Sequence, residues 1–99
     1  MDIEFRNRQI ERVCTDAAAA VRQYGLQIAA KIQQRINEIR AATSVEAMLS
    51  GNIGRCHPLR HDRKNQYAVD VGPRQRLIFE VQRGPGQTAH IQEIVDYHR

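Results

Sequence analysis

In the first half of the chain, apolar residues recur first with the period of a strand and then with the period of helices. Residues 2–6 alternate strictly, which predicts a short strand with one buried face. Apolar residues then recur every three or four positions over residues 8–24, and Gly25 follows at the usual place for a helix C-cap. A second apolar ridge with the same spacing predicts a second helix, antiparallel to the first; it consists of Ile28, Ile32, Ile36 and Ile39.

Beyond the helices the period changes to that of strands. Strands are expected over residues 55–59, 67–71, 76–82 and 88–97. Pro58 confines the first of them to a sheet edge or a bulge, because proline has no N–H to donate to a neighbour. Ile91 and Ile94 are three residues apart, so a bulge is expected in the last strand. The turns between these strands are too short to join parallel strands, so the pairing should be antiparallel.

These elements predict an α+β fold with the order strand, helix, helix, short helical turn and three or four strands. The short turn is expected to begin at Ser44, since Thr43-x-x-Glu46 is a capping-box pattern. Two helices can cover only one face of a small antiparallel sheet, which leaves the other face for solvent or a binding partner. Arg76 alternates with Leu77 and is expected on that open face. A chain of 99 residues forms a single domain, residues 1–99.

The composition indicates a cytoplasmic protein. No apolar run approaches the ~18 residues that a membrane-spanning helix needs. Residues 1–6 lack the basic start and apolar stretch of a signal peptide. Cys14 and Cys56 are too few for a disulfide framework, and we expect both to be buried or semi-buried thiols.

The positive charge of the chain comes from its middle segment. Residues 1–50 hold seven basic and six acidic residues, residues 51–76 hold six and two, and residues 77–99 hold two and three. A clustered basic segment is typical of proteins with a polyanionic partner, although a solvated surface with a chance excess of arginine gives the same count. Arginine outnumbers lysine thirteen to two, which favours phosphate recognition because the planar guanidinium matches phosphate geometry.

A small set of residues is sufficient for RNA cleavage: His57, His61, Arg76 and the triplet Asp96-Tyr97-His98. RNA supplies its own nucleophile, the 2′-OH, so an enzyme needs a base, an acid and a cation beside the phosphorane. Histidine acts as acid or base near neutral pH, arginine binds the phosphate, and tyrosine stacks on a base. No metal ion or cofactor is required. The sequence alone does not show that these groups converge, and each also has an ordinary structural explanation.

The sequence gives little support for a zinc site, a nucleotide-binding loop or a serine-hydrolase site. Cys56, His57 and His61 lie close together, but Pro58 prevents the helix that would bring them to one face, and a second zinc-ligand pair is missing. The sequence has neither a glycine-rich phosphate loop nor a Gly-x-Ser-x-Gly nucleophile motif.

Four segments together resemble the RelE/ParE toxin superfamily, and within it the HigB-like branch of plasmid maintenance killer proteins. They are IEFRNR (residues 3–8), GRCHPL (54–59), QRLIFE (75–80) and EIVDYH (93–98). The resemblance covers nearly the whole chain. It implies a small antiparallel sheet with two N-terminal helices packed on one face, in agreement with the periodicity.

The resemblance also implies an activity. The chain would be the toxin of a type II toxin–antitoxin system, a metal-independent endoribonuclease that cuts messenger RNA in the ribosomal A site by 2′-OH attack. Arg76 would stabilise the transition state and Tyr97 would orient the RNA. His57, Asp96 and His98 would share the proton transfers, with the division between acid and base left open. The implied contacts to ribosomal or messenger RNA come from Arg55, Arg60, His61, Arg63, Lys64 and Arg74.

The resemblance further implies an antitoxin partner of the HigA-like, helix-turn-helix kind, through which the complex would contact operator DNA. Three alternatives stay open. The same fold inhibits DNA gyrase in ParE-like proteins, a toxin fold without activity would serve only as an antitoxin-binding module, and a general RNA-binding domain would bind free RNA with steep salt dependence.

Overall fold

The computed structural model describes residues 1–60 and 63–97. The chain begins with strand β1 and continues through four helices, a 3₁₀ turn and four more strands. The bounds are β1 Asp2–Phe5, α1 Arg8–Thr15, α2 Ala17–Tyr24, α3 Leu26–Ala41, α4 Val45–Ser50, the 3₁₀ turn Ile53–Arg55, β2 His57–Pro58, β3 Gln66–Asp70, β4 Gln75–Arg83 and β5 Gln87–Asp96. The α+β order predicted from the sequence is confirmed.

The single helix expected over residues 8–24 is wrong in one respect, because Asp16 divides it in two. The Asp16 backbone is extended, with φ −116° and ψ 105°, and its N–H closes α1 by donating to the carbonyl of Arg12. Its carboxylate then accepts from the amides of Ala18 and Ala19 as the N-cap of α2. Aspartate competes in this way because its short carboxylate satisfies amides that would otherwise lack a partner.

The remaining helices lie where they were expected. In α3 the side chains of Ile32, Ile36 and Ile39 are buried. Helix α4 does begin after Ser44, but the cap is the Ser44 hydroxyl, which accepts from the amide of Ala47 at 3.1 Å. The expected Thr43–Glu46 pairing is therefore replaced by a cap one residue later.

Five strands form one mixed sheet in the order β1-β5-β4-β3-β2. The strands β2 to β5 pair antiparallel, as expected from their short turns, whereas β1 adds to β5 in parallel. A parallel neighbour is possible here because the helices carry the chain back between β1 and the rest of the sheet. The expected strand at residues 55–59 is reduced to β2, and it lies at a sheet edge as Pro58 requires.

The helices pack on one face of the sheet and enclose the core. The sheet contributes an apolar row that includes Val69, Val71, Leu77, Phe79, Val81, Ala89 and Ile91. Ile78 pairs with Glu93 and Phe79 with Ile91, so Gln92 is an extra residue in β5. This bulge, which was predicted, keeps Ile91 and Ile94 on the same helix-covered side.

We call the other side of the sheet the open face. It carries the residues of β2 to β5 whose side chains alternate away from the helices, among them His57, Ala68, Asp70, Arg76, Ile78 and Glu93. Ala68 and Ile78 are nevertheless fully buried. The longer polar neighbours therefore cover the apolar floor of this face. Within residues 1–60 and 63–97, the helices are all too short or too polar to cross a membrane.

Candidate functional site

Arg76 lies on the open face, as predicted, and its guanidinium is held on three sides. Its Nε lies 2.8 Å from Oδ1 of Asp70 in an ion pair. Its Nη1 donates to the carbonyls of Gly72 and Gln75 at 3.2 and 3.0 Å. The side chain is 20% exposed. A guanidinium has five N–H groups, and the two on Nη2 make no hydrogen bond to another described residue, so they remain for a ligand.

Asp70 is a part of this site that the sequence analysis missed. It pairs with Arg76 across the β3–β4 hairpin, and its second oxygen, Oδ2, lies 3.4 Å from Nε of Arg55. The Asp70 side chain is 18% exposed. One carboxylate therefore joins two arginines of the predicted RNA-binding and catalytic set. The sequence did contain this information, because a hairpin turn centred on Pro73 places residues 70 and 76 opposite each other.

Tyr97 lies beside Arg76 at the end of β5. The guanidinium carbon of Arg76 is 5.9 Å from the centroid of the Tyr97 ring, and the amide of Tyr97 donates to the carbonyl of Arg74 at 2.8 Å. The ring is 49% exposed. A cation over an aromatic face is an attractive contact, and the exposed ring is available to stack on a base. The structure thus brings Tyr97 and Arg76 together.

His57 shares the open face but stands apart from Arg76. It pairs with Ala68 of β3, and Ala68 pairs with Ile78 of β4. His57 is thus two strands across and two residues along from Arg76, which corresponds to about 12 Å between their backbones. The Nδ1 atom is 3.0 Å from the carbonyl of Arg55. A carbonyl only accepts, so this contact places the proton on Nδ1 and leaves Nε2 directed to solvent.

Asp96 does not join Arg76 and Tyr97. It pairs with Gln75, and its Oδ2 accepts from Nε2 of Gln75 at 2.9 Å. Gln75 alternates with Arg76, so this pair lies on the helix-covered side of the sheet. Asp96 also contributes there to raising the pKa of Tyr24, after burial and the Cys14 thiol. The predicted role of Asp96 in proton transfer remains a prediction.

The residues predicted to bind RNA differ in their surroundings. Arg63 donates to Gln66 at 2.9 Å and pairs with Glu93 at 3.3 Å, so it joins β3 to β5 across β4. Arg60, Lys64 and Arg74 are exposed. The candidate residues His61 and His98 lie outside the described residues.

A second basic surface lies between α1 and α2. A groove of about 490 Å³ is lined there by Arg8, Arg12 and Arg22, with Gln9 and Gln23 beside them. Within the described part of the chain, the ion pairs of arginine involve Arg35, Arg55, Arg63, Arg76 and Arg83. The three arginines of the groove have no such partner there. Sequence counting, which assigned the surplus to residues 51–76, did not identify this surface.

Both cysteines are buried, as expected. Burial raises the pKa of the Cys14 thiol to about 12 and that of Cys56 to about 11. Both therefore stay protonated at neutral pH, and Cys56 is unsuited as a nucleophile although it adjoins His57. The described residues also bring together no set of three histidine, cysteine, aspartate or glutamate side chains fit to hold a metal ion.

Comparison with solved structures identifies the fold of the chain. Models of protein families and curated protein sequences yield no match. Among solved structures, a YoeB/ParE toxin from Agrobacterium tumefaciens superposes with a TM-score of 0.66, over 99% of this chain and all of its own, at 15% identity. The chain has the fold of this toxin.

Two further structures agree. A chain of the YoeB–YefM complex from Staphylococcus aureus gives a TM-score of 0.64 at 19% identity, covering 100% of this chain and 98% of its own. YafQ from E. coli strain BL21(DE3) gives 0.61 at 14% identity, covering 96% and 91%. Because these identities are low, the likeness establishes the fold, and the chemistry has to be argued from the site.

Proposed function

We propose that this protein is the toxin of a type II toxin–antitoxin system and cuts messenger RNA in the ribosomal A site. The fold is that of a YoeB/ParE toxin, and the motifs in the sequence resemble the RelE/ParE superfamily. The observation that carries the proposal is the fixation of Arg76 on the open face, with two N–H groups left for a phosphate.

The proposed reaction uses the substrate's own 2′-OH. Nε2 of His57 takes the proton of this hydroxyl, the 2′-oxygen forms a bond to phosphorus, and the bond from phosphorus to the 5′-oxygen breaks. The products are a 2′,3′-cyclic phosphate and a free 5′-OH. Nη2 of Arg76 binds the phosphate, whose charge increases in the transition state, while the exposed Tyr97 ring stacks on a base. The proton for the leaving oxygen comes from His98, Asp96 or the protonated His57. No step needs a metal ion.

The proposal includes a partner and a location. The YoeB–YefM complex supports binding of a second protein by this fold, and we propose a cognate antitoxin of the HigA-like kind, with operator DNA bound only through it. The EIVDYH segment supports the HigB-like branch within the superfamily. The basic groove between α1 and α2 suits the negatively charged surface of the ribosome. A ribosomal substrate places the protein in the cytoplasm.

The test is inducible expression in a bacterial host, with messenger RNA ends mapped by primer extension. We expect new cuts within translated regions for the wild-type chain and none for Arg76→Ala. Arg83→Ala is the matched control, because Arg83 is also an ion-paired arginine of β4 but lies at the far end of the strand. It should cut like the wild type.

Two other outcomes would reject the proposal. Growth arrest with intact messages would point to a ParE-like inhibitor of DNA gyrase, and a supercoiling assay would then test that activity. Absence of both arrest and cuts, with the protein folded, would identify an inactive antitoxin-binding module.

A further inference from the structure

Asp70 connects two cations that come from different parts of the chain. Arg76 belongs to β4, whereas Arg55 ends the 3₁₀ turn before β2. Oδ1 of Asp70 lies 2.8 Å from Nε of Arg76, and Oδ2 lies 3.4 Å from Nε of Arg55. In both contacts the arginine nitrogen nearest to the carboxylate is Nε.

The donors that remain suggest what the pair can bind. Arg76 keeps the two N–H groups of Nη2, because Nη1 is used by the carbonyls of Gly72 and Gln75. The Arg55 side chain is 77% exposed, and its four terminal N–H groups have no partner among the described residues. Two arginines that share one carboxylate have a net charge of +1, which matches the single negative charge of an RNA phosphodiester.

Asp70 is itself held from the helix layer. Arg35 of α3 donates its Nε to the backbone carbonyl of Asp70 at 2.6 Å and its Nη1 to Glu38 at 2.9 Å. The same side chain packs under the 3₁₀ turn, where a Cβ on Gly54 would lie 2.7 Å from Nε of Arg35. One largely covered arginine therefore contacts both Asp70 and the turn that carries Arg55.

We propose that Asp70 is a positioning residue that joins Arg55 and Arg76 into a two-arginine clamp for one RNA phosphate. The proposal deepens the proposed function and rests on it for the identity of the phosphate. Asp70 acts through the arginines and does not itself touch the RNA. A carboxylate that merely shielded the arginines would have the opposite effect, since its removal would strengthen RNA binding.

The two explanations predict opposite changes in RNA affinity when Asp70 is removed, so a binding measurement distinguishes them. The probe is a trinucleotide of 2′-O-methyl RNA, which cannot be cleaved, and its affinity is measured by titration of the arginine Nε–H signals in ¹H–¹⁵N spectra. Asp70→Ala raises the net charge by one, which by itself strengthens binding to a polyanion. We expect about tenfold weaker binding instead, because a charge-assisted contact to the phosphate is lost. Glu46→Ala makes the same change of charge at a distant ion pair and should not weaken binding.

A double-mutant cycle tests whether Asp70 affects RNA binding through Arg55. If Asp70 acts by placing Arg55, the double variant Asp70→Ala/Arg55→Ala should bind about as weakly as Arg55→Ala alone. Additive losses would overturn the proposal, and so would tighter binding by Asp70→Ala. Asp70→Asn serves if the alanine variant does not fold, because it keeps the size of the side chain but carries no charge for the two arginines.

The binding assay is independent of the ribosome. Absence of messenger RNA cleavage by a wild-type chain that shows the expected binding pattern would reject the proposed function and retain the clamp. Normal cleavage with unchanged trinucleotide binding in Asp70→Ala would reject the clamp and retain the function.

Discussion

Replacing Gly54 by alanine tests how firmly the helix layer fixes the site. Gly54 has φ +58° and ψ 24°, a left-handed conformation that costs alanine about 1–2 kcal/mol. The new Cβ would also lie 2.7 Å from Nε and 2.8 Å from Cδ of Arg35. Arg35 can move only by losing its hydrogen bonds to Asp70 and Glu38, and bonds made by a charged group contribute about 1.5–3 kcal/mol. We expect Gly54→Ala to lower the free energy of unfolding by about 2.5–5 kcal/mol.

The assay is urea unfolding of four chains: the wild type, Gly54→Ala, Arg35→Ala and the double variant. Without the Arg35 side chain there is nothing for the new Cβ to displace, so Gly54→Ala should then cost only the conformational part, about 1–2 kcal/mol. The difference between the two backgrounds measures the coupling of Gly54 to Arg35 and should be about 1.5–3 kcal/mol.

Gly86→Ala is the control for this series. A Cβ on Gly86 meets no atom within 4 Å, and its φ lies outside the left-handed range. Its effect should stay within about 0.5 kcal/mol. Equal costs of Gly54→Ala with and without Arg35 would refute the reasoning, because the collision would then contribute nothing.

Three further predictions concern the ring and the titrating groups. Tyr97→Ala should reduce cleavage of messenger RNA on programmed ribosomes by about tenfold, whereas Tyr97→Phe, which keeps the ring beside Arg76, should retain most of it. The pKa of the Glu46 carboxyl is lowered from 4.5 to about 2 by hydrogen bonds from Gln87 and Arg83; this contribution to stability is present above pH 4.5 and is lost as the pH falls towards 2. Urea titrations should therefore show a weaker acid dependence for Glu46→Gln. Burial raises the pKa of Cys14 from 9.0 to about 12, so stability should fall as the pH rises through this window, and less steeply in Cys14→Ala.

Periodicity predicted the helices and strands but not the break at Asp16. The apolar positions Val13 and Ala20 keep the same phase on both sides of the break. Whether the backbone stays helical at Asp16 depends on a local competition between its carboxylate and the helical carbonyls for the same amides. Such a competition leaves no mark in the hydrophobic pattern. The parallel pairing of β1 was missed for a different reason, because alternation within a strand does not identify its neighbour.

The candidate site was predictable in part from alternation alone. Arg76 was correctly assigned to the open face by its position between buried neighbours. The same rule separates Asp96 from Tyr97, since adjacent residues of a strand point to opposite faces. The family resemblance assigned Asp96 and Tyr97 to the same site. The strand geometry places only Tyr97 beside Arg76. The place of Asp70 required the register of the β3–β4 hairpin, which follows from its turn rather than from any motif.

Charge was the least predictable property, for a physical reason. In the segment with the largest basic surplus, residues 51–76, three of the six basic residues meet carboxylates that come from other elements or from across a hairpin. Arg63 meets Glu93 of β5, while Arg55 and Arg76 share Asp70. Residues 1–50 are nearly neutral by count, yet the arginines of α1 and α2 line one groove and have no ion-pair partner among the described residues. A linear count adds charges along the chain, whereas a partner responds to those left unpaired on one surface. The paired arginines are therefore suited to hold a phosphate in a fixed geometry, and the unpaired ones to attract a polyanion.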